Sequence, residues 1–82
     1  SDRLLKLQVD VGEESLRQIV AGIKESYDTK DLIGKHVVVV RNLEPAKLMG
    51  VESQGMLLAA NGNNVLTLIH PDGTTLPGTP VR

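Results

Sequence analysis

The residues best suited to chemistry in this chain are hydrogen-bond donors grouped in one short segment, EPAKLMGVESQG, residues 44–55. Lys47 supplies an ammonium group, and Ser53 and Gln54 supply neutral donors. Gly50 has no side chain to shield the backbone N–H groups around it. Together these groups can bind an anionic or strongly polar partner. The same features also fit a polar turn without a ligand, and the sequence leaves both interpretations open.

Further candidates lie outside this segment. Arg41 and Asn42 end a valine-rich run just before it and can reach a phosphate or a hydroxyl group. Arg3 and Lys6 fall on the polar side of the first alternating stretch. Met56 offers a flexible, polarizable surface, although a place in the core is an equal alternative for it.

Groupings typical of catalysis or metal binding are not found in the sequence. The chain has no cysteine, and His36 and His70 are far apart, so no set of ligands has metal-binding spacing. No serine has the context of a nucleophile elbow, and GVESQG lacks the lysine and following helix of a phosphate-binding loop. We therefore predict a protein without a catalytic site, metal or cofactor.

The elements that must position the candidates are short strands. One stretch alternates apolar and polar residues, and the others are apolar runs bounded by turn signals such as GEES and NGNN. The four consecutive valines suit a strand that is covered on both faces. The predicted strands are Leu5–Val11, Leu16–Gly22, His36–Leu43, Gly55–Ala60 and Val65–His70.

A single short helix is the only other element that the sequence predicts. It begins at Asp28 or Thr29, ends at Gly34, and is short enough to need support from the sheet whose end it covers. Many short strands separated by turns indicate a sandwich or a barrel, and closure of the edges favours a barrel in so small a chain. The fold class is therefore all-β, as a small five-stranded Greek-key barrel with one short helix.

Length and composition limit the function further. The 82 residues make one domain, and Tyr27 is the sole aromatic residue, so the core must be aliphatic. The net charge of −1 counts against strong nucleic-acid binding but leaves room for a local basic patch. No apolar run approaches the roughly 20 residues of a membrane span, so we expect no membrane partner. The absence of cysteine fits a cytoplasmic location.

A family resemblance covers nearly the whole chain. It is carried by SDRLLKLQVDVG, RQIVAGI, DLIGKHVVVVRNLEPAKLMGVESQGMLLAA and the late HPDG and PG. These segments resemble the tRNA-binding domain found at the C-terminus of many bacterial methionyl-tRNA synthetases. Similar domains occur as a free-standing tRNA-binding protein and in a eukaryotic synthetase-associated cytokine.

The resemblance implies an oligonucleotide-binding (OB) fold over residues 1–82, with Pro71–Arg82 as a C-terminal extension. In bacterial members it also implies a homodimer, formed partly through that extension. Members carry a further strand of the form DLRVG.I before SDRLLKL, and the 82 residues start after it, so this first family strand is either absent or lies outside them. If the strand is absent, we expect one edge of the barrel to be open.

The resemblance further implies that Ser53 and Met56 lie in the region that contacts tRNA. With one aromatic residue, base stacking cannot be extensive, so binding should depend on backbone contacts and be weak and indifferent to tRNA identity. Such a domain would raise the tRNA affinity of the catalytic domains of a parent synthetase. The candidate tRNA-binding residues are Arg3, Lys6, Arg41, Asn42, Lys47, Ser53, Gln54 and Met56.

Two other functions stay open at this point. The near-neutral charge and the apolar, proline-containing tail also fit a module that chiefly pairs two synthetase subunits, with RNA contact incidental. A chaperone-like or signalling relative that uses the same barrel is neither supported nor excluded by the sequence.

Overall fold

Residues 2–82 are described by a computed structural model, and they form eight short strands and one helical turn. The strands are β1 Leu5–Val9, β2 Arg17–Ala21, β3 Val39–Val40, β4 Ala46–Leu48, β5 Val51–Ser53, β6 Met56–Leu57, β7 Ala59–Gly62 and β8 Val65–Leu68, and the helix is α1 Thr29–Leu32. The described strands pair antiparallel as β1–β2, β3–β6, β4–β5 and β7–β8. The all-β class with one short helix is thus confirmed, and the five-stranded barrel stays a prediction, because the described strands pair in four two-stranded ladders.

The first hairpin agrees with its prediction. β1 and β2 pair in register from Leu5 opposite Ala21 to Val9 opposite Arg17. Residues Lys6, Gln8 and Asp10 are exposed, as alternation requires, while Leu5 is buried and the other apolar positions are at least half-buried. The hairpin therefore supplies one wall of the core.

The core is small and aliphatic. Among the described residues, the buried hydrophobic side chains are Leu5, Val11, Ile19, Val20, Ile23 and Leu68. Leu32 of α1 packs against this cluster, so the helix covers it as predicted. The Tyr27 hydroxyl accepts a hydrogen bond of 2.9 Å from the Leu68 backbone N–H. The aromatic ring is therefore used as a packing residue and not as an exposed platform for bases.

The predicted strand Gly55–Ala60 is in fact two strands. It divides at Leu58 into β6, which pairs with β3, and β7, which pairs with β8. The Leu58 N–H donates to the Val38 carbonyl, and the Leu58 carbonyl accepts from the Ile69 N–H. Leu58 is thus the point at which the chain passes from one ladder to the next. The following turn is tighter than predicted, because Asn63 and Asn64 alone adopt positive φ there.

The valine run is less buried than its sequence predicts. Only Val39 and Val40 form a strand, and Val37–Val40 are all half-buried instead of covered on both faces. The reason is a groove of about 1100 Å³ that runs between this segment and β1. β1 and β3, like every other described strand, have one partner strand each among residues 2–82.

Candidate nucleic-acid interface

The segment predicted as a polar loop is a β-hairpin. β4 and β5 pair with Lys47 opposite Glu52, and the two-residue turn between them consists of Met49 and Gly50. Both turn residues have positive φ, 52° and 81°, as type I′ turns require. The prediction of a loop was wrong because β4 is exposed along its whole length and so carries no pattern of burial.

This hairpin presents one cation and one apolar tip to solvent. Lys47 is exposed, and its direct cross-strand neighbour Glu52 offsets part of its positive charge. Met49 at the turn is 78% exposed, in a left-handed conformation that an L-residue other than glycine or asparagine rarely adopts. The hairpin therefore projects Lys47 and Met49 away from the core, where a large ligand can reach them.

Ser53 is not placed to contact a ligand. Its side chain is only 4% exposed. Its hydroxyl accepts a 2.9 Å hydrogen bond from the Val20 N–H and donates a 3.0 Å bond to the Gly55 carbonyl. The prediction that Ser53 binds tRNA is therefore corrected: this hydroxyl joins β5 to β2 inside the domain.

Replacing Ser53 with alanine should lower the free energy of unfolding by about 1–3 kcal/mol, because the buried Val20 N–H would lose its acceptor. Urea denaturation followed by circular dichroism measures the change. Ser26→Ala is the matched control, since Ser26 is exposed and should give a change within about 0.5 kcal/mol. Equal stability of the two variants would contradict the role assigned to Ser53.

Arg17 organises the region around the candidate residues, although it was not among the predicted ones. Its Nε and Nη2 donate to the two carboxylate oxygens of Glu13, at 2.8 and 3.0 Å. Its Nη1 donates to the carbonyls of Arg41 and Gln54, at 2.7 and 2.8 Å. This one side chain thus fastens the end of β3 to the end of β5. The i, i+4 spacing of Glu13 and Arg17 was the available sequence signal.

The charge state of this cluster follows from its contacts. The hydrogen bond from Arg17 holds the pKa of Glu13 below its usual value, with a smaller contribution from the charge of Arg41. The Glu13 carboxylate in turn raises the pKa of Arg17. Glu13 and Arg17 are therefore both charged at neutral pH.

Arg41 remains available although it belongs to the same cluster. Its Nη1 lies 3.7 Å from Glu13 Oε2, which is beyond hydrogen-bond distance, and its side chain is 64% exposed. The neighbouring Asn42 is exposed too. Gln54 is half-buried, and its Oε1 accepts a hydrogen bond from the Gln18 N–H at 3.0 Å. Arg41 and Asn42 therefore face solvent, whereas the Gln54 side chain is partly occupied in joining β5 to β2.

The other candidates are exposed but dispersed. Lys6 lies in β1 and borders the large groove together with Arg41 and Asn42. Met56 begins β6 and is 48% exposed, so it is not a core residue. Arg3 precedes β1 and lies 3.4 Å from Glu25, with both side chains largely exposed. Thus the structure brings Arg41, Asn42 and Gln54 together, while Lys47 projects from the adjacent hairpin.

The described chain has the features of a binding module. Over residues 2–82, no three His, Cys, Asp or Glu side chains are grouped so that they could hold a metal ion. The same residues contain no helix that is long and apolar enough to cross a membrane. A small antiparallel β domain with an exposed hairpin that carries Lys47, and with Arg41 exposed nearby, has the features of a module that binds a partner through its surface.

The chain belongs to the family described as "Putative tRNA binding domain", whose model matches residues 1–80. It is 57% identical over 81 residues to a methionine–tRNA ligase of Thermotoga maritima, covering 99% of this chain and 13% of that protein. It therefore spans about an eighth of the length of such relatives. Because the family is one of binding domains, the comparison supports the prediction that this chain has no catalytic site.

Solved structures agree with this assignment. A MetRS-related protein from Pyrococcus horikoshii matches with a TM-score of 0.88 and 38% identity, covering all of this chain and 75% of that one. The chaperone CsaA from Bacillus anthracis matches with a TM-score of 0.90 and 28% identity, covering all of this chain and 79% of that one. The arrangement of short antiparallel strands is therefore shared with tRNA-synthetase-related and chaperone proteins.

Proposed function

We propose that this chain is an appended domain that binds tRNA weakly and without sequence preference, and so raises the tRNA affinity of a methionine–tRNA ligase. The observation that carries the proposal is the exposure of two cations within the family match, Lys47 on the β4–β5 hairpin and Arg41 on the segment that precedes it. A ligase that charges tRNA works where translation occurs, so a cytoplasmic location follows from the same proposal.

The mode of binding follows from what the surface offers. The lone aromatic side chain, Tyr27, is half-buried against Leu68 and cannot form a stacking platform. Recognition should therefore depend on the phosphate backbone and on the shape of folded RNA. Weak contacts of this kind suffice for a tethered domain, because a linker to the catalytic part raises the effective tRNA concentration.

Substitution of Arg41 or Lys47 by alanine should weaken binding of bulk tRNA about 3- to 10-fold each at about 0.1 M salt. Each loss should also lower the slope of log affinity against log salt by about 0.7–0.9, because one phosphate contact disappears. Fluorescence anisotropy with labelled tRNA at several salt concentrations measures both quantities.

Lys30→Ala is the matched control for these substitutions. Lys30 is an exposed cation on α1. The Lys30→Ala substitution changes the net charge by the same amount as Lys47→Ala. Its affinity and salt slope should stay near those of the unaltered chain. If all three variants lose affinity equally, binding follows the overall charge, and the assignment of Arg41 and Lys47 as contacts fails.

A second candidate function, pairing of two parent subunits as a homodimer, is favoured by the C-terminal extension. Leu76 and Val81 are 80% and 77% exposed there, so the extension presents apolar surface to solvent. A second copy of the chain is the partner we propose for this surface. Analytical ultracentrifugation separates the functions: a monomer that binds tRNA contradicts the pairing function, and a dimer that does not bind tRNA contradicts the appended-domain function.

A further inference from the structure

A shallow cleft of about 350 Å³ is lined in part by Arg41, which is the one residue of its lining that the proposed functions use. Its walls come from the turn after β1, the start of β2 and the segment between β3 and β4. The lining residues that bear on its chemistry are Glu13, Leu16, Arg17, Arg41, Leu43 and Pro45. The cleft volume is at the lower end of the range for small-ligand sites, which suits a single nucleotide.

The walls of this cleft combine exposed apolar surface with one available cation. Leu16 is 55% exposed and Leu43 is 47% exposed, and Pro45 is exposed between them and the hairpin. Such side chains can cover the face of a base in a protein that lacks aromatic platforms. We propose that the cleft holds one unstacked nucleotide of a bound RNA, with its base against Leu16 and Leu43 and its phosphate on Arg41. This inference rests on the proposed function and names the part of the ligand that the site accepts.

Arg41 is the group that would bind the phosphate, although Arg17 is also in the cleft. The guanidinium of Arg17 already donates to both oxygens of Glu13 and to two backbone carbonyls. The side chain of Arg41 has only the looser 3.7 Å approach to Glu13. A phosphate oxygen can therefore accept a shorter, charge-assisted hydrogen bond from Arg41 in place of the 3.7 Å contact with Glu13. Arg17 meanwhile holds the walls of the cleft in position.

Glu13 would fix the orientation of the nucleotide. Its carboxylate lies only 3.7 Å from Arg41 Nη1 and would repel a phosphate there, so the phosphate must meet the part of the Arg41 guanidinium that is turned away from Glu13. A carboxylate has about four acceptor sites, and Arg17 uses two of those on Glu13. The remaining sites can accept from an exocyclic amino group, as carboxylates do from cytosine N4. A base with an amino group should therefore bind better than uracil.

The inference is tested by titrating the chain with cytidine monophosphate, uridine monophosphate and inorganic phosphate while recording backbone amide shifts by NMR. We expect the largest shifts at residues 13–17 and 41–45, and affinities that fall from the cytidine to the uridine nucleotide and then to phosphate. Leu43→Ser should lower the affinity for cytidine monophosphate about fivefold, because part of the base would lose its apolar cover. Val65→Ser, at an exposed apolar position outside the cleft, should leave it unchanged.

The possible results separate this inference from the proposed function. Equal affinity for phosphate and for both nucleotides, or equal effects of Leu43→Ser and Val65→Ser, would overturn the nucleotide cleft. If tRNA binding then still depends on Arg41 and Lys47, the proposed function stands without it. Binding of cytidine monophosphate by a chain that does not bind tRNA would support the cleft and overturn the proposed function. Circular dichroism of Leu43→Ser should show an intact fold, since the side chain is half exposed.

Discussion

Replacing Gly78 with alanine should detach the C-terminal extension from the turn that follows β1 and lower the free energy of unfolding by about 2–4 kcal/mol. Gly78 has a φ of +86°, and a Cβ there would lie 2.7 Å from the Val11 carbonyl oxygen and 3.0 Å from the Gly12 Cα. Both are backbone atoms, which cannot rotate out of the way. Gly12 is the reciprocal case, because its own Cβ would lie 2.8 Å from the Pro77 carbonyl oxygen at a φ of +80°.

Two other glycines separate the causes of this effect. Gly34 has a φ of +82°, but a Cβ there would have no neighbouring atom within 4 Å, so Gly34→Ala should cost only the backbone strain of about 1–2 kcal/mol. Gly73 has neither constraint, so Gly73→Ala should stay within about 0.5 kcal/mol of the original. Urea denaturation ranks the variants, and limited proteolysis reports release of the tail. If Gly78→Ala costs no more than Gly34→Ala, the close approach of the two backbone segments is refuted.

The same substitution also bears on the two proposed roles. Gly78 lies between Leu76 and Val81, the exposed apolar residues that we propose pair with a second copy. Arg41 and Lys47 lie on other segments, β3 with its following turn and β4. A detached extension should therefore weaken dimerisation while a folded chain keeps its affinity for tRNA per subunit.

Patterns that act locally made much of the fold predictable. The alternation in Leu5–Val11 and the asparagine-rich turn before Val65 each specify a hairpin with nearby residues, and both hairpins are present. The β4–β5 hairpin was missed because it buries almost nothing: its strands are three residues each, and Met49 takes a turn position that usually holds asparagine or glycine. The alternation of apolar and polar residues reflects which side chains are buried. A pair of strands that is exposed on both faces therefore produces no such alternation.

The residues of the candidate site also differ in how far their roles could be predicted from the sequence. Arg41 and Lys47 were predicted because a cation needs no partner to be a candidate; the structure shows them exposed, and their contact with tRNA stays a prediction. Ser53 was placed on the wrong side, since a serine in a polar segment gives no sign that its hydroxyl will be enclosed. Arg17 was missed because its role depends on carbonyls 24 and 37 residues away along the chain. Only the three-dimensional fold brings those acceptors to one guanidinium.

The groove beside the valine run has the properties of a vacant strand position. Consecutive residues border it on both sides, from Lys6 to Val11 and from Val37 to Asn42. Because successive side chains of a strand point to opposite faces, an unbroken run can border one cavity only along the edge of its backbone. β1 and the valine segment therefore present backbone edges to the same space, and the described residues place no strand between them.

An extended peptide with the family pattern DLRVG.I, added to the chain or fused before it, should fill this groove and raise the free energy of unfolding by about 3–6 kcal/mol. Several backbone hydrogen bonds at about 0.5–1.5 kcal/mol each and the burial of apolar side chains give that range. The unfolding midpoint in urea measures the gain, and exchange of the Val37–Val40 amides should slow.

A proline at the central position of the same peptide is the matched control, since it keeps most of the apolar surface but removes one donor and disfavours a strand between two neighbours. Equal stabilisation by both peptides would mean that the groove takes apolar surface in any conformation. Stabilisation that depends on the concentration of the chain itself, with no effect of peptide, would assign the groove to a second copy. A strand that bonds to both edges would also place its own side chains beside those of Val37–Val40, and so would reduce the exposure of valines that are now half-buried.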